Sequence, residues 1–192
     1  FTAWWDLDQT SGTRLNKAGS TSCGGTGTNC DLPARGTTAV DTTNKQQGTG
    51  AVDFTSTGTL SDAETVFQPS GAVTFGGWVR ITDETGGRVA IHRRQYSTTG
   101  YELTYFPTSD RLTCKAQDKS VAITDANTAG TYAFAVCTWD GTNLRAYGNG
   151  RAPTSTSLTA LTPGTATFNL GGSSVGSGFM TGQLDEIGFV NG

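Results

Sequence analysis

The stretch Tyr132-Ala133-Phe134-Ala135-Val136-Cys137-Thr138-Trp139-Asp140-Gly141-Thr142-Asn143 decides the fold class. In an extended chain Phe134 and Val136 fall on one side, and Ala133, Ala135, Cys137 and Trp139 on the other. Neither side carries a charge before Asp140, so the segment reads as a central strand. Asp140-Gly141 is a turn dipeptide, and a second strand pattern follows it, which predicts a β-hairpin. The signature recurs on both sides. Strands are expected at 4–8, 51–54, 73–81, 88–92, 101–106, 111–116, 120–123, 132–139, 144–148, 166–170 and 183–190, about one every ten residues, as in sandwiches. Within 101–106, Tyr101, Leu103 and Tyr105 share one face and Glu102 and Thr104 the other. The prediction is an all-β fold of two antiparallel sheets.

Composition agrees. Thr (35), Gly (27) and Ser (14) dominate, whereas Lys and Glu number 4 each. Strong helix formers are therefore scarce, which excludes a helical bundle and a Rossmann-type enzyme. Four Trp and nine Phe supply a core, with Trp78 and Trp139 expected inside it beside Phe75, Phe134, Val136 and Ile187. A net charge of −3 leaves no basic footprint for nucleic acid. The longest apolar run, 132–137, is too short to span a bilayer. The chain opens at Phe1 with no signal-peptide pattern, the expected form of a processed or excised chain. Four Cys predict two disulfides, Cys23–Cys30 and Cys114–Cys137, and an oxidising location. Residues 16–50 hold almost no large apolar side chain. They read as a surface loop stapled by Cys23–Cys30 within a single domain covering 1–192.

Several segments, in order along the chain, resemble the laminin G-like, concanavalin A-like jelly-roll superfamily, in particular its bacterial and phage branch. The opening Trp5-Asp6-Leu7-Asp8-Gln9-Thr10-Ser11-Gly12-Thr13 is similar to that branch's first strand. Gly48-Thr49-Gly50-Ala51-Val52-Asp53-Phe54 and Val73-Thr74-Phe75-Gly76-Gly77-Trp78-Val79 follow, then the Trp139-Asp140-Gly141 strand end and Tyr147-Gly148-Asn149-Gly150. Leu170-Gly171-Gly172 and Gly182-Gln183-Leu184-Asp185-Glu186-Ile187 close the series. The resemblance implies a jelly-roll sandwich. It also implies one structural Ca²⁺, held by Asp185 and backbone carbonyls in the manner of a hard cation that takes six to eight oxygens. The chain departs from the pattern at Thr55-Ser56, where an Asp-Gly is usual, and at Asn16-Lys17-Ala18-Gly19.

The fold leaves function to the site. No triad is legible around His92, the only His, which sits beside Arg93 and Arg94. The four Glu form no paired array of the glycoside-hydrolase kind. Asp6 and Asp8 share a strand face in the expected 4–8 strand, where an exposed edge or a neighbouring cation accounts for them. The chain is therefore expected not to be an enzyme. A sugar needs an aromatic ring for its C–H face and polar groups for its hydroxyls. Trp4, Tyr96, Tyr101, Phe106 and Phe179 are the candidate rings. The preferred ligand-binding set is Arg93, Arg94 and Tyr96 on the polar loop 93–100, Phe179 on the loop 176–180, and Tyr101 at the start of its strand. Phe179 and Met180 have a second reading, as apolar caps on one end of the sandwich. The expected role is recognition of a glycan or cell-surface component, as part of a larger assembly or homo-oligomer, in an extracellular, cell-surface or virion location. The alternative is a purely structural capsid, tail or extracellular-fibre subunit.

Overall fold

The computed structural model describes every residue except 1, 19–29, 56, 64, 70, 84, 86, 95–97, 124–129 and 174–177. In chain order the strands are β1 (Ala3–Trp5), β2 (Ala34–Arg35), β3 (Thr38–Asp41), β4 (Ala51–Thr55), β5 (Thr59–Asp62), β6 (Val73–Ile81), β7 (Arg88–Arg94) and β8 (Gly100–Phe106). They continue as β9 (Arg111–Ala116), β10 (Lys119–Ala122), β11 (Ala133–Trp139), β12 (Asn143–Gly148), β13 (Thr154–Ser157), β14 (Phe168–Leu170) and β15 (Thr181–Asn191). A single 3-10 turn, Thr65–Phe67, is the only helical element among the described residues.

Two antiparallel sheets result. The first, of eight strands, runs β13-β12-β11-β6-β15-β4-β3, with β1 also paired to β15. The second, of seven, runs β10-β9-β8-β7-β14-β5-β2. Every expected strand is present, and the hairpin at Asp140-Gly141 joins β11 to β12 in register from Trp139↔Leu144 to Ala135↔Gly148. Asp140 Oδ1 closes that turn by accepting the backbone N–H groups of Thr142 and Asn143 at 2.9 and 2.8 Å.

Four strands were not expected: β2, β3, β5 and β13. They are short and mostly Thr, Ser and Ala, so their alternation carries little hydrophobic contrast. Two of them lie within 16–50, which is thus more than a surface loop. Cys30 and Leu32 there are fully buried, and Leu32 exchanges backbone hydrogen bonds with Arg14 at 2.8 and 2.9 Å. In the other direction, β1 ends at Trp5. Leu7 takes a left-handed φ of 61°, and the strand cannot run on through Asp8, so Asp6 and Asp8 do not share a strand face.

The core between the sheets is aromatic. Phe67 stacks on Phe168 with ring centroids 4.2 Å apart, and Trp5 stacks on Phe168 at 5.8 Å. Buried polar tips find partners, as burial requires. Trp5 Nε1 donates to the Cys30 carbonyl at 2.8 Å, and Trp139 Nε1 to the Leu158 carbonyl at 2.7 Å. The Cys114–Cys137 disulfide is present, with Cα atoms 5.5 Å apart. It ties β9 of the second sheet to β11 of the first across the core. A closed loop of this length contributes roughly 3 kcal/mol. Cys30 is disulfide-bonded, while Cys23 lies outside the described residues.

One core expectation is overturned. Trp139 is buried, but Trp78 is only half-buried and Phe134 is 38% exposed. The two pair directly across β6 and β11 and pack edge to face with centroids 5.1 Å apart on the outer side of the first sheet. The physical reason is that β11 presents Ala133, Ala135, Cys137 and Trp139 inward. Ala133, Ala135 and Cys137 are small and leave room for the bulky residues of the facing sheet, and Phe134 and Val136 are turned outward.

Candidate functional site

The outer face of the second sheet carries the polar half of each alternation. Leu60, Phe168, Leu170, Tyr101, Leu103 and Tyr105 face the core. Ser61, Asn169, Glu102, Thr104 and Thr113 face out, yet all five are buried. Cross-strand register sets them in rows: Asn169 opposite Ser61, Glu102 opposite Lys115, Thr104 opposite Thr113. The backbone of His92 pairs with both Asn169 and Glu102, which joins the rows into one surface.

Buried polar side chains need partners, and here most are fixed. Lys115 Nζ bonds Glu102 Oε1 at 2.9 Å and lies 5.3 Å from the centroid of the Phe106 ring. Thr104 Oγ1 donates to the Arg88 carbonyl at 2.9 Å. Asn169 Nδ2 donates to the Thr167 carbonyl at 2.7 Å, and Arg35 Nε to Ser61 Oγ at 2.7 Å. These bonds hold donors and acceptors in set directions. At the β2 end the face opens into a cleft of about 420 Å³ that includes Arg35, Ser61, Thr167, Asn169, Ser173 and Phe179. The Phe179 ring lies over Gly172, where a Cβ would come within 2.7 Å of it. The missing side chain lets the ring settle on the backbone and keep one part open to the cleft. Met180, its neighbour, is fully buried and closes the core. Met180 thus caps the core, while Phe179 lines the cleft.

Of the expected ligand-binding residues, Phe179 lies in this cleft. Tyr101 does not. It is fully buried, with its hydroxyl donating to the Phe67 carbonyl at 2.9 Å and its ring 4.6 Å from that of Phe75. It faces inward with Leu103 and Tyr105 and is a core residue. Arg93 and Arg94 end β7, the strand hydrogen-bonded to β14; Tyr96 lies outside the described residues. Asn169, Ser61 and Arg35 were not singled out in the sequence. Their rows arise from pairing between distant segments, and no local motif marks them.

The acids have structural partners. Asp6 Oδ1 accepts from Gln9 Nε2 at 2.8 Å, and its Oδ2 pairs with Lys17 at 3.3 Å. Asp8 Oδ1 accepts the backbone N–H groups of Thr49 and Gly50, each at 2.8 Å. Asp185 is fully buried on the outer side of the first sheet, under residues 42–50. Its Oδ2 accepts from the backbone of Gln46 and Gln47 at 2.7 and 2.9 Å, and its Oδ1 has no hydrogen-bond partner. Burial, with Asp8 nearby, pushes the Asp185 carboxyl above the ordinary carboxylate range, against those two amides. Among the described residues no group of three or more His, Cys, Asp or Glu is placed to hold a metal. The orphaned Oδ1 is nevertheless an acceptor of the kind that a proton or a hard cation satisfies. No helix among the described residues is long and apolar enough to cross a membrane.

Three solved structures with related folds are similar over nearly the whole chain. Domain 4 of AbnA, a GH43 extracellular arabinanase from Geobacillus stearothermophilus, solved in complex with arabinotriose, superposes with a TM-score of 0.69 at 15% identity, covering 100% of this chain and 92% of that one. The binding domain of botulinum neurotoxin DC in complex with SialylT gives 0.61 at 11%, covering 97% and 44%. The same neurotoxin's binding domain in complex with rat synaptotagmin II gives 0.57 at 14%, covering 97% and 45%. The chain thus spans about half the length of the neurotoxin binding domains. No curated protein sequence matches it. The model of one family, described as the concanavalin A-like lectin/glucanases superfamily, matches residues 49–192. With the two-sheet sandwich already in view, the chain belongs to the concanavalin A-like lectin/glucanase superfamily.

Proposed function

We propose that this chain is a non-catalytic glycan-recognition module of a larger extracellular, cell-surface or virion assembly, and that its sugar site is the polar outer face of the second sheet. One observation carries the reading. A row of buried, directed polar side chains ends in a cleft where the partly open Phe179 ring lies beside Arg35, Ser61 and Asn169. That is the combination a sugar needs, a ring for its C–H face and fixed groups for its hydroxyls. Arg93, Arg94 and Tyr96 stay in the proposed ligand set; the first two end β7. The similar folds solved with arabinotriose and SialylT support the ligand class.

The carboxylates support the absence of catalysis. Glycoside hydrolysis uses an opposed pair. Among the described residues of this face Glu102 is the one carboxylate in the rows, and Lys115 neutralises it. A structural Ca²⁺ is part of the proposal. Asp185 Oδ1 and carbonyls of the overlying 42–50 segment would hold it, and it would supply positive charge beneath that segment.

A glycan array tests the reading, followed by titration of the best hit against Phe179→Ala and Asn169→Ala. Each variant is expected to lose about tenfold or more in affinity, as when a site is left with an unpaired polar group or without its stacking ring. Failure of every glycan to bind at millimolar concentration would leave the structural-subunit alternative. A hit that both variants bind as well as wild type would move the site elsewhere.

A further inference from the structure

The outer face of the first sheet holds a second groove, of about 460 Å³, remote from the polar face and with the opposite chemistry. Its floor has almost no side chains. Trp4, Gly188, Gly76 and Val136 lie in line across four strands, so two glycines separate the indole on one side from Val136 and Phe134 on the other. Adjacent strands are about 4.8 Å apart. The gap between the walls therefore admits a group of roughly one ring's width. Gly76 holds a φ of 153°, and a Cβ there would meet the Ala135 carbonyl oxygen at 2.1 Å, so the floor tolerates no larger residue.

Glu186 is the one charged side chain among the described lining residues. It sits in a β-bulge between Asp185 and Gly188 of β15, with a left-handed φ of 50°. Bulges re-aim side chains, and this one directs a carboxylate toward the groove: Glu186 Oε2 accepts from Trp4 Nε1 at 2.8 Å. No ion pair neutralises Glu186 among the described residues. Other acids, Asp6 and Asp185, are close in the chain or across the sheet, and Lys17 is committed to Asp6.

Three ligand classes can be compared. A sugar would strand most of its hydroxyls, since Thr74 and Glu186, with the Trp4 indole N–H already given to Glu186, are the polar side chains among the described lining residues. A neutral apolar group would enclose an uncompensated carboxylate. A primary ammonium would bring three N–H donors to a site with one good acceptor. A quaternary ammonium has no N–H to satisfy, presents methyl groups to carbon walls, and is attracted both by aromatic rings and by the carboxylate. We propose that this groove is a binding site for a quaternary ammonium group, with Trp4 and Phe134 as its aromatic walls and Glu186 as its counter-charge.

The test is titration of the whole chain with choline, followed by Trp fluorescence and by saturation transfer to the choline methyl protons. It runs beside 3,3-dimethylbutan-1-ol, the neutral isostere, and n-butylammonium, at constant ionic strength. Choline is expected to saturate in the millimolar range and to bind about tenfold more tightly than either comparator. Glu186→Gln keeps an acceptor for Trp4 Nε1 and is expected to bring choline down to the level of the isostere, whose own binding stays unchanged. Trp4→Leu should abolish both. Melting temperatures of the variants exclude misfolding, and the wild-type comparison of the three probes stands without any variant. Equal binding of choline and its isostere, tighter binding of butylammonium, or no saturable choline signal would each overturn the proposal.

Discussion

The outer faces of the two sheets follow the same period-two rule and end with opposite chemistry. On the second sheet the outward positions are Ser61, Asn169, Glu102, Thr104 and Thr113, whose polar groups are held by neighbours. On the first they are Thr74, Gly76, Trp78, Phe134, Val136 and Gly188, where rings stand around bare backbone. A sandwich fixes which residues share a face but not what that face is made of. Binding chemistry is therefore written in the outward half of each alternation, and one module can hold two unlike surfaces.

The largest effect is expected where the faces are tied together. Cys114→Ser with Cys137→Ser removes the link between β9 and β11. It should lower unfolding free energy in urea by roughly 3 kcal/mol, with the scatter usual for disulfides. Ligand binding on either face should survive at temperatures where the variant stays folded. A loss well under about 1 kcal/mol would mean that core packing alone fixes the two sheets to each other.

A smaller effect separates the faces. Thr104→Val removes a hydroxyl that donates to the Arg88 carbonyl and leaves the volume nearly unchanged. It should cost about 1 kcal/mol in stability and weaken glycan binding on the second sheet. Phe134→Ser, on the other sheet, should spare glycan binding and weaken choline. Crossed outcomes in the paired titrations, with either variant affecting the far ligand, would break the assignment of one chemistry to each face.

How much of this was legible depends on the element. Strands β6 and β8, with strong alternation, can be read directly, as can β11, β15 and the Asp140-Gly141 turn. Which side of β11 faces the core cannot, because both sides are apolar. The decision belongs to the sheet opposite, so the outward turn of Phe134 is not legible; Trp78, by contrast, alternates on β6 with Phe75 and Val79 and shares the face of Thr74 and Arg80. Tyr101 was misread for a related reason. The sequence offers it as a candidate ring for a sugar, although Leu103 and Tyr105 share its face. Phe179 could be found as a large ring in a run of Gly and Ser. Asn169 and Ser61 could not, since their row exists only once β14 pairs with β5. The Glu186 bulge was also hidden, because sequence alternation does not show where a register slips.

The Asp185 carboxyl offers a modest effect beside the first sheet's groove. Its folded state favours the proton more than the unfolded chain does, because burial raises it. Stability from this group is thus present at low pH and lost as pH rises above the ordinary carboxylate range toward the raised folded value. With EDTA present, melting temperature should climb on lowering pH from about 7 to about 5, and Asp185→Asn should flatten the climb. Excess Ca²⁺ should raise the wild-type value near neutral pH. If EDTA and Ca²⁺ give the same melting curve at every pH, no cation is held there and the proton alone satisfies Oδ1.

The smallest effect has the opposite sign. Asp140 is exposed at the β11–β12 turn. A hydrogen bond from Arg145 and the backbone N–H groups of Thr142 and Asn143 hold its carboxyl well below the usual carboxylate range. Its folded state favours the ionised form, so its contribution is present at neutral pH and is lost only as pH falls below that range. Asp140→Ala should lower the melting temperature slightly at neutral pH, with the gap to wild type closing in strong acid. Asp185→Asn should behave in reverse, since its gap to wild type is largest near neutral pH and shrinks on acidification from the stabilised side. Two aspartates of one sheet would then pull the stability curve in opposite directions, Asp140 as a solvated turn clasp after β11 and Asp185 as a buried acceptor within β15. A gap for Asp140→Ala that widens with acidification would show that the clasp does not depend on the charge, and that the turn is held by Gly141 and the strands alone.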